Sequence, residues 1–335
     1  MKGIIIFLWV LFICVGQIKA QQDRHFSMFN ASPITLNPGA AGLFPGNVQL
    51  FTNYRSQWSS ITPNLFTTMS GTIDAKFYKK KGYYFAGGLS FFNDIAGTSL
   101  MKTGVYNLSL SYGLEINEGQ YLAFGVQPSY FQRSMEMGTL TWGNQWTGEQ
   151  FNVLQPSGEA KFAQSISKFD LNTGVYYYGQ VRDNVLIAIG GSVHHVTRPN
   201  VGMFTTDEKL YRKYLVNAYM EYGVSHTKFY IDPSMYAFFQ GPNKSIAVGT
   251  DFKYMIKESS KYTGYYDETS FLVGMYYRSS DSFYTKIGIN WSGFSFGAAY
   301  DINISSLSIA TNGLGGMEFF LRYRIGFKGR YNGFK

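Results

Sequence analysis

Four histidines, His25, His194, His195 and His226, are the residues best suited to metal or acid–base chemistry in this chain. No HExxH pair is present, and no neighbouring Asp or Glu completes a ligand set of the converging kind that a closed metal site needs. His194 and His195 end an alternating run, so a strand there sends them to opposite faces. No nucleophile elbow appears. The single cysteine, Cys14, lies in a leader described below, which removes disulfides, thiol catalysis and cysteine metal sites from the mature chain. Lys79, Lys80 and Lys81 read as a solvated turn. Glu318, Arg322 and Arg324 fall on one face of an alternating run, as do Lys286 with Asn290 and Asp170 with Asn172. Charges on an inner face need water or partners, because an unpaired buried charge is costly. None of these groups points to a cofactor, a metal or an enzymatic reaction.

The elements that must position them are strands. "TGVYNLSLSYG" places Tyr106, Leu108, Leu110 and Tyr112 opposite Asn107, Ser109 and Ser111. "GGMEFFLRYRIGF" places Met317, Phe319, Leu321, Tyr323, Ile325 and Phe327 opposite Glu318, Arg322 and Arg324. Period two separates these sets, whereas a helix would scatter them. Charged residues make up 15% of the chain and aromatics 18%, against about 25% charged in soluble domains. No mature stretch supplies the ~20 apolar residues of a membrane helix. Low charge, many rings and hidden hydrophobicity together predict an all-β fold, a transmembrane β-barrel in the outer membrane.

Marking every alternating run predicts about 14 antiparallel strands, near 47–54, 65–77, 83–93, 101–113, 119–132, 168–179, 184–195, 212–224, 226–238, 243–256, 268–278, 281–290, 292–304 and 314–327. Short connections at 78–82, 115–119 and 180–183 alternate with longer ones at 55–64, 133–167 and 196–211, the asymmetry of periplasmic turns and outer loops. The segment 257–267 is long where that parity calls for a short turn, so either it is an exception or a strand is miscounted. Tyr83 with Tyr84, Tyr176 to Tyr178, and Tyr276 with Tyr277 suit the interfacial aromatic girdle. Stacking on nucleic acid is the weaker reading, because no basic groove accompanies the rings.

The chain opens "MKGIIIFLWVLFICVGQIKA", with Lys2, an apolar core from Ile4 to Val15, and Ala20 as the cleavage position. Residues 1–20 therefore read as a signal peptide. Lipidation at Cys14 is disfavoured by Ile13, since that position takes a small residue. Losing Lys2 and Lys19 trims the +8 charge to a modest excess that fixes no partner. Export without disulfides suits a Gram-negative envelope. The barrel is expected over 47–328, with a long loop at 133–167, a tail at 329–335, and residues 21–46 ahead of the first strand. In "LNPGAAGLFPG", Pro38, Gly39, Gly42, Pro45 and Gly46 interrupt regular structure. Leu36, Asn37, Pro38 and Gly42 are too distinctive for a passive linker, and this segment is expected to pack in the lumen or at its periplasmic mouth.

The order of "QQDRHFSMFN", "LNPGAAG", "NYRSQW", "FDLNTGVYYY", "HHVTRPN", "KLYRKY", "MYYRSSDSF", "AAYDINIS" and "GGMEFFLRY" resembles the PorP/SprF family of the type IX secretion and gliding machinery of Bacteroidota, over almost the whole mature chain. Met28 and Phe29 stand where the family usually has Gln and an aromatic residue, and Met317 where it often has His. The resemblance implies a non-enzymatic outer-membrane barrel serving export or surface attachment of partner proteins such as adhesins with C-terminal sorting domains. It also implies other secretion components and outer-membrane lipid as partners, and no nucleic acid. Trp142, Trp146 and Phe151 in the long loop are candidate partner contacts, against packing within the loop. The alternative function is a transport barrel for a hydrophobic or small polar solute, which needs an open lumen.

Overall fold

The structure is a computed structural model that describes residues 23, 25–59, 66–80, 82–97, 99–136, 140–156, 158, 165–203, 207–257, 268–306 and 308–326. Fourteen strands follow one another: β1 (Val48–Gln57), β2 (Phe66–Lys80), β3 (Tyr83–Ala96), β4 (Met101–Asn117), β5 (Gln120–Ser134), β6 (Ser165–Arg182) and β7 (Val185–His194). Then come β8 (Lys213–Gly223), β9 (Phe229–Gln240), β10 (Asn243–Lys257), β11 (Thr269–Arg278), β12 (Ser282–Trp291), β13 (Phe294–Asn303) and β14 (Leu314–Ile325). Each pairs antiparallel with its sequence neighbours, and β1 on β14 closes the ring, with Val48 opposite Ile325 and Gln57 opposite Gly316. Strands of ten residues or more can cross a hydrocarbon layer of ~30 Å at a tilt.

The alternation read from the sequence sets which way each side chain faces. On β14, Met317, Phe319 and Leu321 are exposed on the outer wall while Glu318 is 1% exposed and faces in. On β4, Tyr106, Leu108, Leu110 and Tyr112 are likewise exposed outward. The inner face collects Gln49, Asn53, Arg55, Asp251, Lys286 and Asp301, all buried. The barrel is thus apolar toward lipid and polar toward its axis. The register of β4 on β5 skips from Asn107–Ser129 to Leu110–Val126 around Pro128, and that of β8 on β9 skips from Tyr219–Ser234 to Tyr222–Ile231 around Pro233. Proline has no N–H to give the ladder.

Strict alternation also corrects the aromatic girdle. Tyr84, Tyr176, Tyr178 and Tyr276 are buried in the lumen, and in each group only the intervening ring, such as Tyr277, faces out. Adjacent strand residues cannot share a face. Lys79 and Lys80 belong to β2 rather than to a turn, and Lys79 Nζ lies 5.6 Å from the Tyr121 ring; Lys81 is outside the described residues. With fourteen strands in place, the long 257–267 connection is an exception to the parity and not a miscount; residues 258–267 are outside the described residues, as are the leader 1–20 and the tail 329–335. Among the described residues no helix is long and apolar enough to cross a membrane, which says nothing of crossing by strands.

Candidate functional site

Residues 25–47 run inside the ring of strands. Prolines and glycines prevent long helix or strand here, and the chain makes three short 3-10 turns, Phe29–Ala31, Pro33–Thr35 and Pro38–Ala40. A compact chain of this kind cannot satisfy its own backbone groups, so the wall must do so.

The first half is held by charge. Glu318 accepts the backbone N–H of Ser27 at 2.7 Å and of Met28 at 2.8 Å, and the Asn53 amide at 2.6 Å. Ser27 Oγ donates to Asp301 at 2.7 Å and accepts from Arg278 at 2.6 Å. Arg55 donates to Asp301 at 2.8 Å and to the His25 carbonyl. Lys286 donates to Asn30 at 2.9 Å and to Asp251 at 3.0 Å, and Arg322 donates to the Ala31 carbonyl at 3.2 Å. Arg324 reaches Gln49 on the wall at 2.9 Å. Phe29 meets Tyr236 and Tyr276 edge-on, with centroids 4.8 and 5.8 Å away. Burial and the nearby Arg278 guanidinium hold the His25 imidazole down at about 3, so it is neutral at ordinary pH.

The second half is held by shape. Asn37 accepts the Gly39 N–H at 2.9 Å and donates to the carbonyls of Val175 and Gly191 at 3.0 and 3.1 Å. Ser192 donates to the Leu36 carbonyl at 2.7 Å, and Ser111 to the Gly39 carbonyl at 3.2 Å. This closeness needs wall glycines. A Cβ at Gly125 would lie 2.2 Å from Gly39 N, one at Gly174 2.1 Å from Asn37 Oδ1, and one at Gly190 2.6 Å from Asn37 Nδ2. Pro38, Gly39 and Ala40 are buried against this seat. Gly42, at φ +75°, donates to Asp74 at 3.1 Å, and Lys76 donates to the Phe44 carbonyl at 3.0 Å.

His194 and His195 do not take opposite faces. His194 Nε2 lies 3.0 Å from the Leu36 carbonyl. His195, at φ +57°, leaves the strand conformation, and its ring swings inward to sit 2.5 Å from Asp170 and 3.0 Å from Asp23. A left-handed residue breaks the period-two rule at the strand end. Lys213 and Gln240 also donate to the Asp23 carboxylate, at 3.3 and 3.2 Å. Burial works against the charged imidazole, but the Asp23 and Asp170 carboxylates outweigh it and hold His195 up at about 9. Among the described residues no group of three metal-ligating side chains is arranged to hold an ion.

Two cavities flank the segment, one of about 610 Å³ toward the end where the chain enters and leaves the barrel, one of about 790 Å³ toward the loop end. Phe29 and Leu36 line both. Outside the lumen, Trp146 and Phe151 pair across a small hairpin with rings 5.0 Å apart, both about half exposed. Gln145 organises that loop, accepting the Trp142 N–H and donating to the Gln155 carbonyl, both at 3.0 Å.

The sequence singled out Glu318, Arg322, Arg324 and Leu36 to Gly42 separately; Glu318 and Arg322 meet residues 27–31, Arg324 meets Gln49 on the wall, and Leu36 to Gly42 are held by other strands. It missed the wall glycines, whose signal was glycine at strand centres, where it weakens a strand unless another backbone comes close. It also missed the shared purpose of Arg55, Arg278, Asp301 and Lys213, which sit in four of the scattered motifs.

The sequence model of the family described as "Type IX secretion system membrane protein PorP/SprF" matches residues 18–323. No curated protein matches the chain. Among solved structures, the toluene transporter TbuX of Ralstonia pickettii is 9% identical, covering 87% of this chain and 93% of its own at a TM-score of 0.49. A TodX monoaromatic hydrocarbon channel mutant is 8% identical, covering 88% and 94% at 0.52. A Pseudomonas aeruginosa FadL homologue is 10% identical, covering 85% and 91% at 0.48. At these identities the likeness to the TodX barrel is one of fold.

Proposed function

The chain belongs to the PorP/SprF family of type IX secretion system membrane proteins, and from that premise we propose that it is a plugged, non-enzymatic outer-membrane component that supports export or surface attachment of partner proteins. The observation that carries this reading is the occupied lumen: residues 25–44 are tied to strands around the ring, and Phe29 with Leu36 stand in the wall of both cavities that flank the segment. Residues 25–46 act as the plug, with Leu36, Asn37, Pro38 and Gly42 as its key. A barrel with an occupied lumen works through its surfaces.

The partners are exported proteins, adhesins with C-terminal sorting domains among them, and other components of the secretion and gliding machinery. Trp142, Trp146 and Phe151 offer these partners an aromatic contact at the loop end, where exposed rings are effective anchors. The outer wall is solvated by lipid. Transport of a hydrophobic or small polar solute needs a continuous path, which the plug opposes. Deleting the gene and comparing secreted and surface proteins tests the reading. Loss of particular exported proteins with solute uptake unchanged is expected; an intact secretome with altered uptake overturns it.

A further inference from the structure

The inner face of this barrel is mainly polar, as expected for a wall that meets water. Its loop-end cavity departs from that pattern. Inward-facing Phe92 and Val105, Trp58 and Phe66 at the rim, and Phe26 of the N-terminal segment all line it and keep part of their surface free. These rings are braced. Phe26 meets Phe92 edge-on at 5.7 Å, and Trp58 meets Phe66 at 4.9 Å. Phe29 and Leu36 line its floor.

Charge around the cavity is matched. His195 stands between Asp23 and Asp170, Lys213 contacts Asp23, and Arg133 and Glu208 add one group of each sign. A site built for an anion or cation would leave one sign in excess. The volume, about 790 Å³, falls in the range of small-molecule pockets, and its wall shows more apolar than polar surface with a few polar groups among the rings.

We infer that this vestibule is a binding site for a small, neutral, aromatic molecule, seated among Phe26, Phe92 and Val105 above the Phe29–Leu36 floor. Binding here requires no passage through the barrel. It is separate from the secretion reading, and either stands if the other fails.

Iodobenzene is a suitable probe, because the anomalous signal of iodine distinguishes the vestibule from the lipid-facing wall. In crystals of the mature full-length barrel soaked with it, iodine is expected against Phe92 and Phe26. In nanodiscs, equilibrium dialysis against empty discs should show one saturable site per barrel, weakened at least tenfold by Phe92→Glu and little changed by Phe92→Leu. Phe26→Glu, on the segment rather than the wall, repeats the test if Phe92→Glu does not fold, as judged by heat-modifiable electrophoretic mobility. Iodine found solely on the outer wall overturns the inference, as does saturable binding that neither Glu variant alters.

Discussion

Residues 25–31 and residues 36–44 reach the same lumen wall by opposite means. The first stretch presents backbone N–H groups and small polar side chains to a network in which the acids Glu318, Asp301 and Asp251 balance the bases Arg55, Arg278 and Lys286. The second presents a bare turn to three strands whose glycines leave no room for a methyl group. The difference teaches how each half fails. Charge tolerates small shifts but leaves costly orphans when one partner is removed; a steric seat tolerates no added atom, and its hydrogen bonds are lost together.

The largest effect should therefore come from Gly125→Ala. Its Cβ would lie 2.2 Å from both Gly39 N and Pro38 C, so the segment must leave its seat, at about 3 kcal/mol. Gly191→Ala is the matched control, because its Cβ meets nothing closer than 4.0 Å, and a change under about 0.5 kcal/mol is expected. The lone cysteine of the sequence is Cys14, so an Ala40→Cys reporter, buried in the parent, can be read by maleimide labelling. Fast labelling in Gly125→Ala and slow labelling in Gly191→Ala is the expected result. Equal rates would break the steric half of the comparison.

Next comes Glu318→Ala, which strips the acceptor from two backbone N–H groups and the Asn53 amide. About 2 kcal/mol of local attachment should be lost. A Met28→Cys reporter should become reactive while Ala40→Cys stays protected. Glu318→Gln keeps an acceptor in place and should recover part of the protection. If both reporters open together, the two halves form one cooperative unit and the distinction collapses.

Strand positions and the face of each side chain were legible because alternation is local: a two-residue period needs no knowledge of what lies across the barrel. The partners were not. Arg55, Arg278 and Asp301 are ordinary inner-face charges until closure brings β1, β11 and β13 around Ser27, and sequence separations of 246 to 274 residues carry no local signal. "LNPGAAG" announced that its backbone was special, but its complement lay in Gly125, Gly174 and Gly190 on three strands. The paired histidines misled for a different reason. The left-handed turn at His195 is set by its partners Asp23 and Asp170, and alternation cannot foresee it.

That same turn adds a pH-dependent term to the charged half. The His195 pKa is raised to about 9, so its contribution is complete below the ordinary histidine range and is lost as pH rises through about 9. Discounted for the partial exposure of Asp23, the loss between pH 7 and pH 10 should be on the order of 1 kcal/mol. Thermal melts across that window should fall more steeply for the parent than for His195→Gln. A slope unchanged by the substitution would remove His195 from the charged half, whereas the Gly191→Ala control should leave it untouched.

The loop hairpin supplies the zero of this scale. Trp146 and Phe151 pack on each other at a tilt, are about half exposed and, among the described residues, make no hydrogen bond to the lumen network. Trp146→Ala should change the melting behaviour of the barrel by less than about 0.5 kcal/mol and leave both cysteine reporters protected. If the loop is a partner surface, the same substitution should lower surface retention of the exported proteins that are lost on gene deletion. Retention at parental levels, with the barrel intact, would confine Trp146 to packing its own loop and return the partner role to other surfaces of the loop end. Stability and partner capture are then separable by position: the lumen substitutions should move the first, and the hairpin only the second.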